Sequence, residues 1–253
     1  MRLVALGASN LTRGLAAVVA AAREAWGPDL EVLAALGHGR SYGAESRVLV
    51  RTLPSILDCG LWAELDRRPR VATRALVTDI GNDIPHGRPA GRILAWVEEC
   101  IERLHAAGAD GIVMTDLPMA GLRRLPPFVY RLFRSLYFPG SRLPLPRAAA
   151  EAEAVSAGLA MVARRKGVTL VQARPEWYGF DPIHIRRRTQ PAAWSEILGR
   201  PAAATGRLRV RLAEAVECYR LQLRPERQSW LGMLQVTPQK GRRLRRGGRI
   251  DLY

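Results

Sequence analysis

Two short stretches far apart in the chain hold the residue types of a nucleophilic site: "LGASN" at residues 6–10 and "DPIH" at residues 181–184. A serine hydroxyl attacks a carbonyl efficiently only when a base takes its proton, and an imidazole does so best when a carboxylate fixes its tautomer. Asp181 and His184, three residues apart in a turn, can share one face, so that the carboxylate holds one ring nitrogen and the other points at a hydroxyl. Each piece alone has a plainer explanation. Ser9 could be a helix N-cap, although Asn10 is a good cap itself, and an isolated Asp-x-x-His is more often a capped turn than a catalytic pair. His38 and His86 have no aspartate so placed, and His105 sits in a helical stretch.

Two further segments could serve the same chemistry. "GHGRSYG" (37–43) has three glycines in seven residues, which lets the backbone come close to a ligand and aim an N–H at it. Its spacing is not the Gly-x-Gly-x-x-Gly of a dinucleotide loop. "TDIGNDI" (78–84) offers the Asn82 side-chain amide, with Asn82 and Asp83 as turn residues before a helix beginning near Pro89.

The elements around these segments explain how they could meet. "RLVALG" (2–7), "LEVLAAL" (30–36), "RALVTDI" (74–80), "GIVMTDL" (111–117) and "GVTLVQA" (167–173) read as strands, with helical spacing between most of them. Continuous apolar strands separated by helices predict an α/β fold: a mostly parallel five-stranded sheet covered on both faces, a three-layer α/β/α sandwich. Such sheets collect ligands at the carboxyl ends of their strands. Ser9 follows the first strand, Gly39 the second, Asn82 the third, and Asp181 with His184 the fifth, so one sheet edge can bring them together.

This combination resembles the SGNH hydrolase superfamily, the GDSL-type esterases and lipases, over about residues 3 to 190. The resemblance implies a flavodoxin-like fold and ester hydrolysis with Ser9 as nucleophile and Asp181 and His184 completing a triad. It also implies that Gly39 and Asn82 are oxyanion donors, with Gly37 as a possible substitute for Gly39, and that no metal or organic cofactor is needed. Two positions depart from the family pattern: Ala8 stands where Asp is usual, and Ile80 replaces the first glycine of the Gly-x-Asn-Asp block. An α/β-hydrolase is a poorer match, because Ser9 is not in a Gly-x-Ser-x-Gly elbow. The same residues could transfer an acyl group to an acceptor other than water. The substrate class stays open among small-molecule, lipid and carbohydrate esters.

Composition sets the remaining bounds. The formal charge is +16, which raises the alternative of an anion- or nucleic-acid-binding protein on a hydrolase-like scaffold. Against it, 37 of the 39 basic residues are arginine in an alanine-rich chain, and no nucleic-acid motif is present. Cys59, Cys100 and Cys218 are far apart and odd in number, which fits a reducing, cytoplasmic setting without a disulfide framework. The apolar run 14–22 lacks the flanks of a signal peptide, and no transmembrane segment is evident. Residues 1–223 are expected to form the catalytic domain, closing with a helix over 207–223. The Pro-, Gly- and Arg-rich residues 224–253 are expected to be a basic, partly disordered tail. Within the domain, 118–147 is an insertion with six Pro and six Arg and no acidic residue. Phe128, Val129, Tyr130, Leu132, Phe133, Leu136 and Tyr137 there form a wide apolar face, suited either to covering a substrate pocket or to burial against the sheet.

Overall fold

The structure, a computed structural model, describes residues 1–138, 140–199 and 210–253. Residues 207–209 of the expected closing helix lie outside the described part. The first half runs β1 (Arg2–Leu6), α1 (Ser9–Trp26), β2 (Glu31–Ala35), the hairpin β3 (Ser46–Val48) and β4 (Arg51–Leu53), α2 (Leu61–Arg67), β5 (Thr73–Val77) and α3 (Ala90–Ala106). It continues through β6 (Ala109–Thr115), α4 (Met119–Arg123), α5 (Pro127–Tyr137), α6 (Leu145–Lys166), β7 (Thr169–Val171), α7 (Gln190–Ile197) and α8 (Leu212–Gln222). The chain closes with β8 (Arg227–Trp230), β9 (Met233–Val236), β10 (Arg242–Arg243) and β11 (Arg249–Leu252).

Alternation of side chains along each strand builds two cores, one on each face of the sheet. Val4, Leu6, Leu33, Ala35, Ala75 and Val77 pack under α2, α3 and α6, whereas Leu3, Ala5, Val32, Ala34 and Leu76 pack under α1, α7 and α8. All of these side chains are buried, which is why the strands read as continuous apolar runs. Helix α1 sits close to α7 because position 14 is glycine: a Cβ there would overlap the indole of the fully buried Trp194.

The main sheet has the order β10-β11-β2-β1-β5-β6-β7, with every neighbouring pair parallel except β10 with β11. The five strands expected from sequence are its β2-β1-β5-β6-β7 portion, so the count is seven instead of five. From β1 the chain adds β2 on one side and β5 on the other. The edge beyond β1 and β5 is therefore the topological switch point, where open α/β sheets bind ligands.

The two added strands come from the segment expected to be a loose tail, and that expectation is corrected here. Strand β11 pairs in parallel with β2, and Ile250, Asp251, Leu252 and Tyr253 are all buried. Strands β8 and β9 join the β3–β4 hairpin in a second, four-stranded sheet. The composition misled because most arginines of 239–249 point outward, while the apolar positions needed for a strand are confined to the last few residues.

Candidate active site

Ser9 is the first residue of α1, immediately beyond β1, so its main-chain N–H belongs to the helix N-terminus, where unpaired donors favour negative charge. Its hydroxyl lies 2.9 Å from His184 Nε2, and His184 Nδ1 lies 2.7 Å from Asp181 Oδ2. Asp181 also shapes the turn that carries the histidine, because its Oδ1 accepts the N–H groups of Ile183 and His184, each at 3.1 Å. Burial opposes ionisation of Asp181. The hydrogen bond and charge of His184, with the two N–H groups, outweigh it and hold the carboxyl below its ordinary range. His184 itself is buried.

The sequence reading missed what fixes the serine and histidine loops to each other. Asn10 is not the helix cap; Ala8 occupies that position. The Asn10 amide instead brackets the histidine, donating to Ile183 O at 2.8 Å and accepting from Ile185 N at 2.8 Å. Its Nδ2 also donates to Asp79 Oδ1 at 2.8 Å. The other Asp79 oxygen accepts Ala8 N at 2.8 Å and Leu11 N at 3.1 Å, so this residue caps α1 from the turn after β5. A carboxylate thus stands beside Ala8 although position 8 carries none. Asp79 does this with a left-handed backbone (φ 61°, ψ 26°), uncommon outside glycine but tolerated by Asp. The one clue in the sequence was an acid inside an otherwise apolar run, "LVTDI".

Gly39 and Asn82 come from the segments after β2 and β5. Gly39 has φ +67°, and a Cβ there would overlap Val48, so only glycine suits this turn. Asn82 Nδ2 donates one hydrogen to Arg40 O at 3.0 Å, which fixes the amide plane beside the glycine loop. Asp83 Oδ2 accepts Tyr42 N at 3.0 Å and ties the same loop to the turn after β5. Ser9, Gly39, Asn82 and His184 line one open cleft, whereas Gly37 is not among its lining residues.

A second, mostly apolar cavity of about 160 Å³ opens from the other side of Ser9. Leu117, Leu122, Leu125, Phe133, Ala148 and Ala152 contribute to its wall, so the 118–147 insertion covers it. Helix α5 does this with one face. Val129 is buried and Tyr130 and Phe133 are half-buried, while Phe128, Leu132 and Leu136 are exposed. The helix is held by Tyr130 Oη and Arg134 Nη1, which donate to Leu143 O at 2.8 and 3.1 Å. The Phe133 ring reaches the Phe180 ring, 6.0 Å between centroids, across the gap to the loop that carries Asp181.

No family model matches the chain, and a search of curated proteins also finds no match. Solved structures do match. The inhibitor-bound form of an M. smegmatis aryl esterase is 13% identical, covers 83% of this chain and 100% of its own, and superposes with a TM-score of 0.54. Its native form gives 0.52 with the same identity and coverage. A member of the lipolytic G-D-S-L family from Veillonella parvula DSM 2008 is 11% identical over 82% of this chain, with a TM-score of 0.48. The fold is the one these aryl esterase structures have, with helices on both faces of a mostly parallel sheet. At these identities the likeness is one of architecture. In this chain, the segments after β1, β2 and β5 and the loop after β7 carry Ser9, Gly39, Asn82, and Asp181 with His184. Among the described residues, no helix is long and apolar enough to cross a membrane.

Proposed function

We propose that the chain is a serine esterase that hydrolyses carboxylic esters through an acyl-enzyme. The observation that carries this reading is the unbroken hydrogen-bonded line from Ser9 Oγ through both nitrogens of His184 to Asp181, at 2.9 and 2.7 Å. Ser9 Oγ attacks the ester carbonyl carbon as its proton passes to His184 Nε2. Asp181, held ionised, stabilises the resulting imidazolium. The oxyanion is received by the Ser9 and Gly39 N–H groups and by the Asn82 amide. When the tetrahedral intermediate collapses, the carbon–oxygen bond to the alcohol breaks and His184 returns the proton to that oxygen. A water molecule then attacks the acyl-enzyme, giving its proton to His184, and the acid leaves as Ser9 is restored. The acyl group lies in the cavity under α5. An apolar cavity of roughly 150 Å³ can hold a benzene-sized guest, so an acyl chain of about six carbons is the expected optimum.

The test combines labelling and kinetics on the purified protein. A phosphonate probe should add one covalent group at Ser9, and Ser9→Ala or His184→Ala should lose nearly all hydrolysis of hexanoyl esters. Asn82→Ala should lower kcat by roughly a hundredfold if it donates to the oxyanion. Full activity in Ser9→Ala would overturn the assignment.

A further inference from the structure

The cleft on the other side of Ser9 differs in character from the apolar cavity. Arg13 of α1, Arg47 of β3, Arg142 before α6, Arg147 of α6 and Arg187 after His184 all line it, converging from separate parts of the chain. All five are exposed, and among the described lining residues there is no Asp or Glu. Elsewhere some arginines are matched by carboxylates: Arg68 is paired with Glu31, Glu64 and Asp251, Arg103 with Glu99, and Arg174 with Glu196. None of the five cleft arginines has an ion-pair partner among the described residues. His38 also lines the cleft, and burial first, with Arg13 among the nearby groups that add to it, pushes its imidazole below the ordinary histidine range.

Ser9, Asn82, Pro85 and Ile183 line both spaces, so the nucleophile stands where the apolar cavity meets the basic cleft. An ester bound across this junction has its acyl chain on one side and its leaving group on the other. We propose that the leaving group carries phosphate: the substrate is an apolar acyl ester of a phosphorylated alcohol, held by the arginines of the open cleft. Guanidinium groups match phosphate oxygens in a two-pronged geometry, and several unpaired cations in one concavity focus the field on such an anion. The inference rests on the esterase reading above and adds to it the chemistry of the alcohol. Bond making and breaking are unchanged, since the phosphate stays on the departing alcohol and only the acyl–oxygen bond is cleaved.

The experiment compares hexanoyl glycerol with 1-hexanoyl-glycerol-3-phosphate, at low and at high ionic strength, for the full chain, for Arg147→Gln/Arg187→Gln and for Ser9→Ala. The phosphate ester should be preferred in kcat/KM by about tenfold or more at low salt, and the preference should shrink as salt screens the exposed arginines. The double variant should lower the phosphate-to-neutral ratio by about fivefold or more, a readout that a general loss of folded protein does not move. A third arm presents the phosphate ester as a long-chain lysophospholipid in vesicles. Preference for the soluble ester assigns the charge to a free phosphorylated alcohol, and preference for the vesicle assigns it to a lipid headgroup. Equal Ser9-dependent hydrolysis of the neutral and phosphorylated esters would overturn the inference and leave the esterase reading standing. Hydrolysis that Ser9→Ala does not reduce would overturn both.

Discussion

Asn10 and Asp79 are the residues through which the geometry around Ser9 can be tested without touching the reacting groups. Asn10 makes three hydrogen bonds at 2.8 Å, two of them to the residues on either side of His184. Asn10→Ala leaves a carbonyl and an N–H beside the site without their partner and should cost about 1 to 3 kcal/mol of stability. If Asn10 positions His184, kcat should fall by about tenfold or more with little change in KM, because the proton transfer is misaligned while the acyl cavity is intact. A variant whose melting temperature drops while kcat stays the same would reduce Asn10 to a stability role. Asp79→Asn keeps the size of the side chain but not the charge that faces the start of α1, and should lower kcat in the same way. Much of the candidate site was legible in the sequence, because Ser9, Gly39, Asn82, Asp181 and His184 each follow a strand and each belong to a type with a known chemical use. Asn10 and Asp79 were not legible as positioning groups. One read as a helix cap and the other as part of a strand, and their roles depend on contacts between segments that are about 70 and 175 residues apart.

At the scale of elements, the proposed function makes the insertion after β6, which lines the apolar cavity, the part that should set which acyl groups fit. Its two readings were a cover for a pocket and a helix buried in the core. The structure divides them between positions on the same helix. Val129 is buried at 3% exposure, whereas Phe133 is half-buried, lines the cavity and meets Phe180. Phe133→Ala should therefore shift the preferred acyl chain toward longer esters with a small change in melting temperature. Val129→Ala should act in the opposite sense, losing about 1 to 3 kcal/mol of stability with unchanged chain-length preference. Chain-length profiles and thermal unfolding measured on both variants check the pair. The reverse pattern would make α5 an ordinary core helix. The wide apolar face was visible from composition. Which of its positions face the cavity was not, because that depends on where α5 crosses the sheet edge, and helical periodicity carries no information about a crossing. The β3–β4 and β8–β9 hairpins were missed for a related reason: their strands are three or four residues long, below the length at which an alternating pattern stands out.

The whole molecule couples its last strand to the candidate oxyanion loop. Arg40 is fully buried, and its guanidinium donates to the main-chain oxygens of Leu36, Pro54 and Tyr253, while its own carbonyl accepts the Asn82 amide. Tyr253 N in turn donates to Ala34 O at 2.9 Å, continuing the pairing of β11 with β2. At the other end of these strands Arg68 joins Glu31 to Asp251. Burial raises the cost of ionising Glu31, but Arg2 and Arg68 outweigh it and lower its pKa. A carboxyl with a depressed folded-state pKa stabilises the fold above its unfolded value of about 4.3, and that contribution is lost as pH falls through the folded value. Thermal unfolding measured from pH 7 to pH 3 should show this acid loss, and Glu31→Gln should flatten it. Deleting residues 239–253 is the stronger test of the same arrangement. Were the segment a solvated basic tail, its removal would leave folding and ester hydrolysis intact and weaken only salt-sensitive binding to anions. In this structure the deletion exposes the edge of β2, uncovers Ile250, Leu252 and Tyr253 contacts on both cores, and leaves Arg40 with an unmatched buried donor. The truncated chain should therefore unfold at a markedly lower temperature or fail to fold. A milder version separates the two effects: Arg40→Met keeps most of the volume, and should lower kcat by misplacing the Asn82 amide even where the protein remains folded. A truncated chain with unchanged melting temperature and unchanged kcat would show that β11 is dispensable to both the sheet and the site.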